Sequence, residues 1–397
     1  MKVLIFIDKK KLAPTGGPIG YCYNIKKYLE ENDCSVDIHF LNEEDCESTQ
    51  KKTRIKTFLS NFLNRHARWL LNYRLYSNVI FKGKNSTPIT NINSYDFIHF
   101  HTPFDFFRER EIIKGYKGKT ILTSHSPIPS HMELLEDVIS KREQKVFKKL
   151  YSNLYQIDEY SFLHADYVFF PCQEAEESYC NKWLRYSEIS NLIKGKKRYL
   201  LTGTNNCSYR IDPNTIRDNL GISTNSFVIS YVGRHNAAKG YDRLKEMGEN
   251  LLLDKNVFFV ICGLEKPMTR LINDNWIEIG WTRDAHSYIN ASDVFVLPNR
   301  DTYFDLVFLE VLSLGKIIVA SKTGGNKVFI GESRGIFLYE SIEEAIEILK
   351  KIRTLSETEK KELETENKRL FIEKYSTSVF MKNYTNLLLE LKHNNEH

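Results

Sequence analysis

No apolar run in the 397 residues reaches the roughly 18–20 needed to cross a bilayer, so no membrane-spanning helix is expected. Cysteine is sparse. The seven, Cys22, Cys34, Cys46, Cys172, Cys180, Cys207 and Cys262, show neither metal-ligand spacing nor a paired framework. An odd number without a secretory signal points to a reducing, cytoplasmic setting. The opening stretch Met1–Asp8 is too short for a signal peptide and is expected to form the first buried strand. A strong excess of one charge is also missing. The formal +5 is mild and no nucleic-acid motif accompanies it, so a polynucleotide partner is not expected. No Gly-Lys-Ser/Thr ending of a Walker loop occurs at the required glycine spacing.

The composition, 42% hydrophobic and 27% charged, is that of an ordinary globular protein, long enough for two domains of about 150–200 residues. Expected strands at Val3–Ile7, Val36–Leu41, Phe97–His101, Thr120–Ser124, Tyr167–Phe170 and Tyr199–Leu201 are separated by helix-length stretches. The rhythm repeats at Val228–Val232, Val257–Cys262, Trp276–Ile279, Val294–Leu297, Ile317–Ala320 and Gly335–Leu338. This pattern predicts an α/β protein with two parallel sheets and a linker near 205–218. A last amphipathic helix is expected over Ser378–Leu391.

Two loops draw attention. After Val294–Leu297 and Pro298 comes Asn299-Arg300-Asp301-Thr302-Tyr303-Phe304-Asp305-Leu306-Val307, running into a helix with Leu309, Leu312 and Gly315 at helical spacing. Open α/β sheets bind ligands at the carboxyl ends of their strands, and amides freed at a helix start can hold phosphate. Glu310 lies close enough to that start to reach a hydroxyl-rich ligand, with plain helix capping as the alternative. Upstream, Val228–Val232 leads into Gly233-Arg234-His235-Asn236-Ala237-Ala238-Lys239-Gly240. Gly233 is expected to let the backbone turn sharply. Arg234 as a planar fork and Lys239 as a mobile point charge suit a diphosphate, with a solvated basic loop as the alternative.

Gly233, Arg234, Lys239 and Gly240, together with Pro298, Phe304, Leu306, Glu310, Gly315 and the Gly324-Gly325 pair, resemble the donor half of family 4 glycosyltransferases. These are retaining enzymes of the GT-B fold. The resemblance is specific in the carboxyl half and looser in the amino half. It implies two Rossmann-like domains facing across a cleft. The expected acceptor domain is 1–205, joined by a terminal helix at 376–397, and the expected nucleotide-sugar donor domain is 206–375. One departure stands out: the first Glu of the family's Glu-x7-Glu pattern is Thr302 here, and the Gly after Phe304 is Asp305. In the family the first Glu lies beside the donor sugar and the second holds the nucleotide ribose. Glu310 therefore inherits the ribose, while Thr302, Asp301 and Asp305 compete for the sugar-side role.

The resemblance also implies that Gly16, Gly17, Arg234, Lys239, Gly263, Leu306, Val307 and Glu310 contact the donor. His125, in Thr123-Ser124-His125-Ser126, resembles the family's strand-end histidine beside the reacting sugar, and it joins Asp305 and Thr302 as a catalytic candidate. His99 and His101 alternate on one strand and share a face, but no third metal ligand is evident nearby, and no metal is expected. His101, nearer the strand end, is the better cleft candidate.

The expected activity is transfer of a sugar from a nucleotide diphosphate sugar to a hydroxyl of a glycan or lipid-linked glycan. The setting would be cell-surface polysaccharide or glycoconjugate synthesis, with the donor as substrate and no separate cofactor. A non-catalytic glycosyltransferase-like partner subunit is the alternative that the lost Glu keeps open. Residues 51–84 contain nine Lys or Arg and no acid, interleaved with Phe58, Phe62, Trp69 and several leucines. Such a segment suits the anionic inner face of a membrane, or else packs its apolar stripe on the domain core.

Overall fold

The structure, a computed structural model, describes residues 1–7, 12–13, 17–41, 68–82 and 91–396. It divides into two compact units. The first holds Met1–Phe170, Tyr179–Leu200 and Thr385–His397, and the second Pro171–Ser178 and Leu201–Tyr384. Each is built on a six-stranded parallel sheet among the described residues. They are two Rossmann-like domains.

In the first unit the strands are β1 (Lys2–Phe6), β2 (Asp37–Phe40), β3 (Phe97–Phe100), β4 (Lys119–Thr123), β5 (Tyr167–Phe170) and β6 (Lys197–Tyr199). Their order across the sheet is β2-β1-β3-β4-β5-β6. The second unit has β7 (Phe227–Val232), β8 (Val257–Cys262), β9 (Trp276–Gly280), β10 (Val294–Leu297), β11 (Ile317–Ser321) and β12 (Ile336–Tyr339), ordered β12-β11-β10-β7-β8-β9. Strands buried on both faces need near-continuous apolar runs, and Val294–Leu297 and Ile317–Ser321 are buried along their whole length. The core of the second unit gathers Ile229, Phe259, Val296 and Val319 with Leu244 and Leu349 from flanking helices.

The sixth strand lies two residues earlier than the sequence suggests. Pairing with β5 sets its register, Val168 opposite Lys197 and Phe170 opposite Tyr199. This is an edge strand, which tolerates basic residues that a central one would exclude. Gly315 does not continue its helix: it is the left-handed cap, φ 78°, that ends Leu306–Leu314. The stretch read as a linker, 205–218, is tied to the second unit. Cys207 N donates to Ser313 Oγ (3.1 Å) and Arg210 N to Ser287 Oγ (2.9 Å), and Asp212 caps the helix Pro213–Asn219. The terminal helix runs over Thr377–Glu396.

Topology fixes where a ligand belongs in each unit. The strand order reverses between β7 and β10 in the second sheet and between β1 and β3 in the first. In open α/β sheets the crevice beyond the carboxyl ends of the strands at such a switch point is the binding position.

Candidate functional site

The second unit brings the two conspicuous loops together at its switch point. Gly240, with φ 65°, passes so close to the other loop that a Cβ there would sit 1.8 Å from Pro298 O. Arg300 laces them: its amide donates to Ala238 O and its guanidinium to Ala237 O, both at 3.0 Å, and it pairs with Asp242. His235 pins the first loop from below. It is buried and stacked on Tyr241, centroids 3.9 Å apart, and Tyr241 Oη donates to Glu278 Oε1 (2.5 Å). Gly233 is needed for a different reason than expected. Its φ is not positive; a Cβ would meet the Tyr231 hydroxyl at 2.5 Å. Gly263 serves the same purpose one strand over, where a Cβ would lie 2.0 Å from Gly233 O.

On this platform Arg234 is exposed and forms no ion pair among the described residues. Lys239 is half-buried, with Nζ 2.6 Å from Asp305 Oδ1. Asp305 occupies the cap position of Leu306–Leu314, yet its side chain bonds to none of the helix amides. It is held by Lys239 and by the Asn299 amide, which also donates to Thr302 Oγ1 at 2.8 Å. The first-turn amides, including those of Leu306 and Val307, therefore lack a side-chain cap, which is the arrangement that receives an anion. Thr302 is fully buried, and its carbonyl accepts from Gly325 N (3.1 Å). Asp301 lies at the half-buried turn before it.

Glu310, the fifth residue of the helix, accepts from His286 Nε2 at 3.2 Å. Burial opposes the imidazolium, but hydrogen bonds with Cys207 and Glu310 outweigh it and push His286 up to about 10. His286 and Asn299 were not foreseen. Asn299 opens a conspicuous loop but was given no role there, and His286 lies in no recognisable motif; only the folding of 205–211 and of Ala285–Asn290 against the helix brings His286 to Glu310.

The switch point of the first unit is built from aromatic and imidazole rings. β3 delivers His99 and His101, and β4 ends just before His125. His99 Nε2 bonds Thr123 Oγ1 (2.8 Å), and His101 Nδ1 and His125 Nε2 share a hydrogen bond of 2.9 Å. Tyr21, from the helix Gly17–Glu31, places its ring 4.6 Å from that of His125. Burial holds all three imidazoles neutral: His99 and His101 are pulled well below 6.5 and His125 down to about 3. His125 adopts φ 58°, a left-handed conformation that costs a non-glycine residue about 1 kcal/mol or more. His101 is fully buried and stands behind His125, which is partly exposed. The third imidazole that the sequence failed to bring near the pair is His125. Even so, the described residues contain no cluster of three His, Cys, Asp or Glu arranged to hold a metal ion. Gly17 opens its helix with φ 72°; Gly16 lies outside the described residues.

Two six-stranded parallel sheets, each with polar side chains gathered at its switch point, define a protein of two Rossmann-like domains. Family models make the class specific. Residues 15–189 match the model described as Glycosyltransferase Family 4 and residues 212–373 the model described as Glycosyl transferases group 1. These two models, with the two Rossmann-like domains, support a GT-B glycosyltransferase of the family 4 and group 1 kind. It is 32% identical over 134 residues to the Escherichia coli UDP-Gal:alpha-D-GlcNAc-diphosphoundecaprenol alpha-1,3-galactosyltransferase, across 30% of this chain and 34% of that protein. The matched stretch thus spans about a third of the length of the curated relatives. Among solved structures, sucrose-phosphate synthase from Thermosynechococcus elongatus aligns with TM-score 0.66 at 15% identity, covering 99% of both chains. HepE of Anabaena, solved with UDP-glucose, aligns with TM-score 0.61 at 16% identity, covering 98% of this chain and 100% of that one. At such identities these two structures speak for the fold.

Proposed function

We propose that the chain is a retaining glycosyltransferase that moves a sugar from a nucleotide diphosphate sugar to a hydroxyl of a glycan or lipid-linked glycan, in cell-surface polysaccharide or glycoconjugate synthesis. The observation that carries this reading is the pairing of Lys239 with Asp305 at the uncapped start of Leu306–Leu314, with Arg234 exposed on the same loop as Lys239 and Glu310 one turn further in. Negative charge builds on the diphosphate as the glycosidic bond breaks, and preorganised donors aimed at it lower the barrier. Arg234 offers a planar fork and Lys239 an ammonium already oriented by Asp305. Leu306 and Val307 add backbone amides. Charge neutralisation is assigned to these side chains and amides, and no metal ion is invoked.

Glu310 has one carboxylate oxygen held by His286, leaving the other to accept a ribose hydroxyl. His125 is assigned a hydrogen bond to the reacting sugar; a neutral imidazole can make it without a proton changing hands. The setting assigned to the chain is a reducing cytoplasm, on the odd number of cysteines in the sequence. The Escherichia coli relative's name specifies a UDP-sugar and HepE was solved with one, so UDP-sugars head the list of donors to try. The test is nucleotide diphosphate release from a panel of UDP-, GDP- and ADP-sugars, with and without lipid-linked acceptors. No release and no nucleotide binding across the panel would sink the reading.

A second reading, a non-catalytic partner subunit, draws on two observations. Asp305 takes up the charge of Lys239, and Thr302, where the family has a carboxylate, is buried. Such a subunit would bind nucleotide without turnover and would raise the activity of a separate transferase.

A further inference from the structure

Away from both switch points, the first unit carries a surface where exposed apolar side chains sit among cations. The helix Arg68–Ser77 turns Asn72 and Tyr76 inward. It lays Trp69 and Tyr73 against Phe147, with ring centroids 5.9 and 4.5 Å apart. Phe147 joins two short helices, Lys141–Val146 and Lys148–Tyr151. Asn72 Nδ2 donates to Glu143 Oε1 (3.2 Å), so the three helices form one continuous face. On it Trp69 is 44% exposed, Leu70 43% and Val146 64%. Around them stand the exposed side chains of Arg68, Arg74, Lys141, Arg142, Lys145, Lys148 and Lys149. The one carboxylate in the three helices, Glu143, is used internally: its Oε2 accepts from Ser140 N (2.8 Å) to complete a capping box.

We propose that this face docks on the surface of an anionic lipid bilayer. Seven cations against one occupied carboxylate complement anionic headgroups, each cation near such a surface improving binding by about five-fold. Trp69 and Tyr73 are the residue types that settle at the membrane–water boundary, and Leu70 and Val146 give the apolar contact that headgroups alone do not need. A two-fold contact between copies would set the same cations against themselves, which disfavours self-association through this patch. Of the basic segment 51–84, only 68–82 is described, and half of the face comes from Lys141–Lys149, which the sequence pattern did not flag. Among the described residues no helix is long and apolar enough to cross a membrane, so the contact is peripheral.

Vesicle binding needs no donor sugar, so its outcome is independent of the transfer reaction. The full chain, sedimented with phosphatidylglycerol-containing vesicles and with pure phosphatidylcholine vesicles at about 0.1 M and about 1 M salt, is expected to bind only the anionic ones and only at low salt. The double variant Lys145→Glu/Lys149→Glu is expected to weaken that binding by about ten-fold or more, and Trp69→Ser/Val146→Ser by several-fold. A far-UV circular dichroism spectrum and nucleotide affinity equal to wild type would show both variants folded. Three results overturn the proposal: no binding to anionic vesicles, undiminished binding by the folded charge-reversed variant, or a dimer in sedimentation velocity that Trp69→Ser abolishes.

Discussion

At the switch point of the amino-terminal unit the polar groups are neutral rings: His99, His101 and His125, backed by Tyr21 and bonded to one another or to Thr123. At the equivalent place in the carboxyl-terminal unit they are ions: Arg234, the Lys239–Asp305 pair and the His286–Glu310 pair. Both units use a six-stranded parallel sheet, so the contrast is not one of architecture. It follows from what flanks the strand ends. The imidazoles stack on other rings in a buried pocket, where burial removes their charge. The second unit leaves its cations partly wet and gives each buried charge a partner. A neutral pocket suits hydroxyl-rich ligands held by hydrogen bonds; a charged one suits phosphate.

The contrast can be broken most directly from the charged side. Arg234→Ala and Lys239→Ala are each expected to lower turnover by about ten-fold or more with the fold intact, the scale of losing a group that stabilises developing charge. Steady-state kinetics with a circular dichroism control checks it. Near-normal rates in both variants would remove the diphosphate assignment. On the neutral side, His125→Asn keeps a residue tolerant of the left-handed backbone while deleting the ring. Turnover should fall about ten-fold, with little change in donor affinity measured by calorimetry. A loss confined to donor affinity would move His125 out of the sugar site.

Asp305→Asn sharpens the comparison within the charged site, since it releases Lys239 while leaving an amide for Asn299 to meet. It should change turnover several-fold, and more than Asp301→Asn does, because Asp305 is the carboxylate bonded to Lys239. A silent Asp305→Asn beside an inactive Asp301→Asn would reverse the roles.

The two units should also respond to pH in opposite directions. The folded-state values of His99, His101 and His125 lie below 6.5, so below that pH protons bind preferentially to the unfolded chain. Their contribution is therefore intact above pH 6.5 and is lost as pH falls, toward about 3 in the case of His125. His286 is raised by Cys207 and Glu310 against the effect of burial, so its pairing with them stabilises fully below 6.5 and is lost as pH rises through about 10. Thermal midpoints from pH 4 to about 10.5, with His286→Gln alongside, test the sign: the variant should flatten only the alkaline limb. The smallest expected effect is that of Thr302→Val, which removes an acceptor of the Asn299 amide and should lower the midpoint by a few degrees, about 1 kcal/mol.

How legible each part was depended on how local its cause is. Eleven of the twelve strands could be placed to within a residue because apolar runs such as Val257–Cys262 coincide with burial. The sixth strand shifted because its position comes from pairing with β5. The two donor-side loops were recognisable because each is a contiguous stretch with its own chemistry. Residues whose roles arise from distant partners were not: His286 meets Glu310 across 24 positions, and Asp305 meets Lys239 across 66.

The sequence by itself therefore determined the alternation of strands and helices, the division into two Rossmann-like units and the presence of cations, glycines and an acid at strand ends. These depend on residue type and short spacing, which the chain carries in one dimension. Only tertiary structure decided the state of those groups: that Lys239 is paired, that Thr302 is buried, that His101 stands behind His125 and that three imidazoles are uncharged. Charge and exposure are set by which side chains come within a few ångströms after folding, and that distance has no counterpart along the chain.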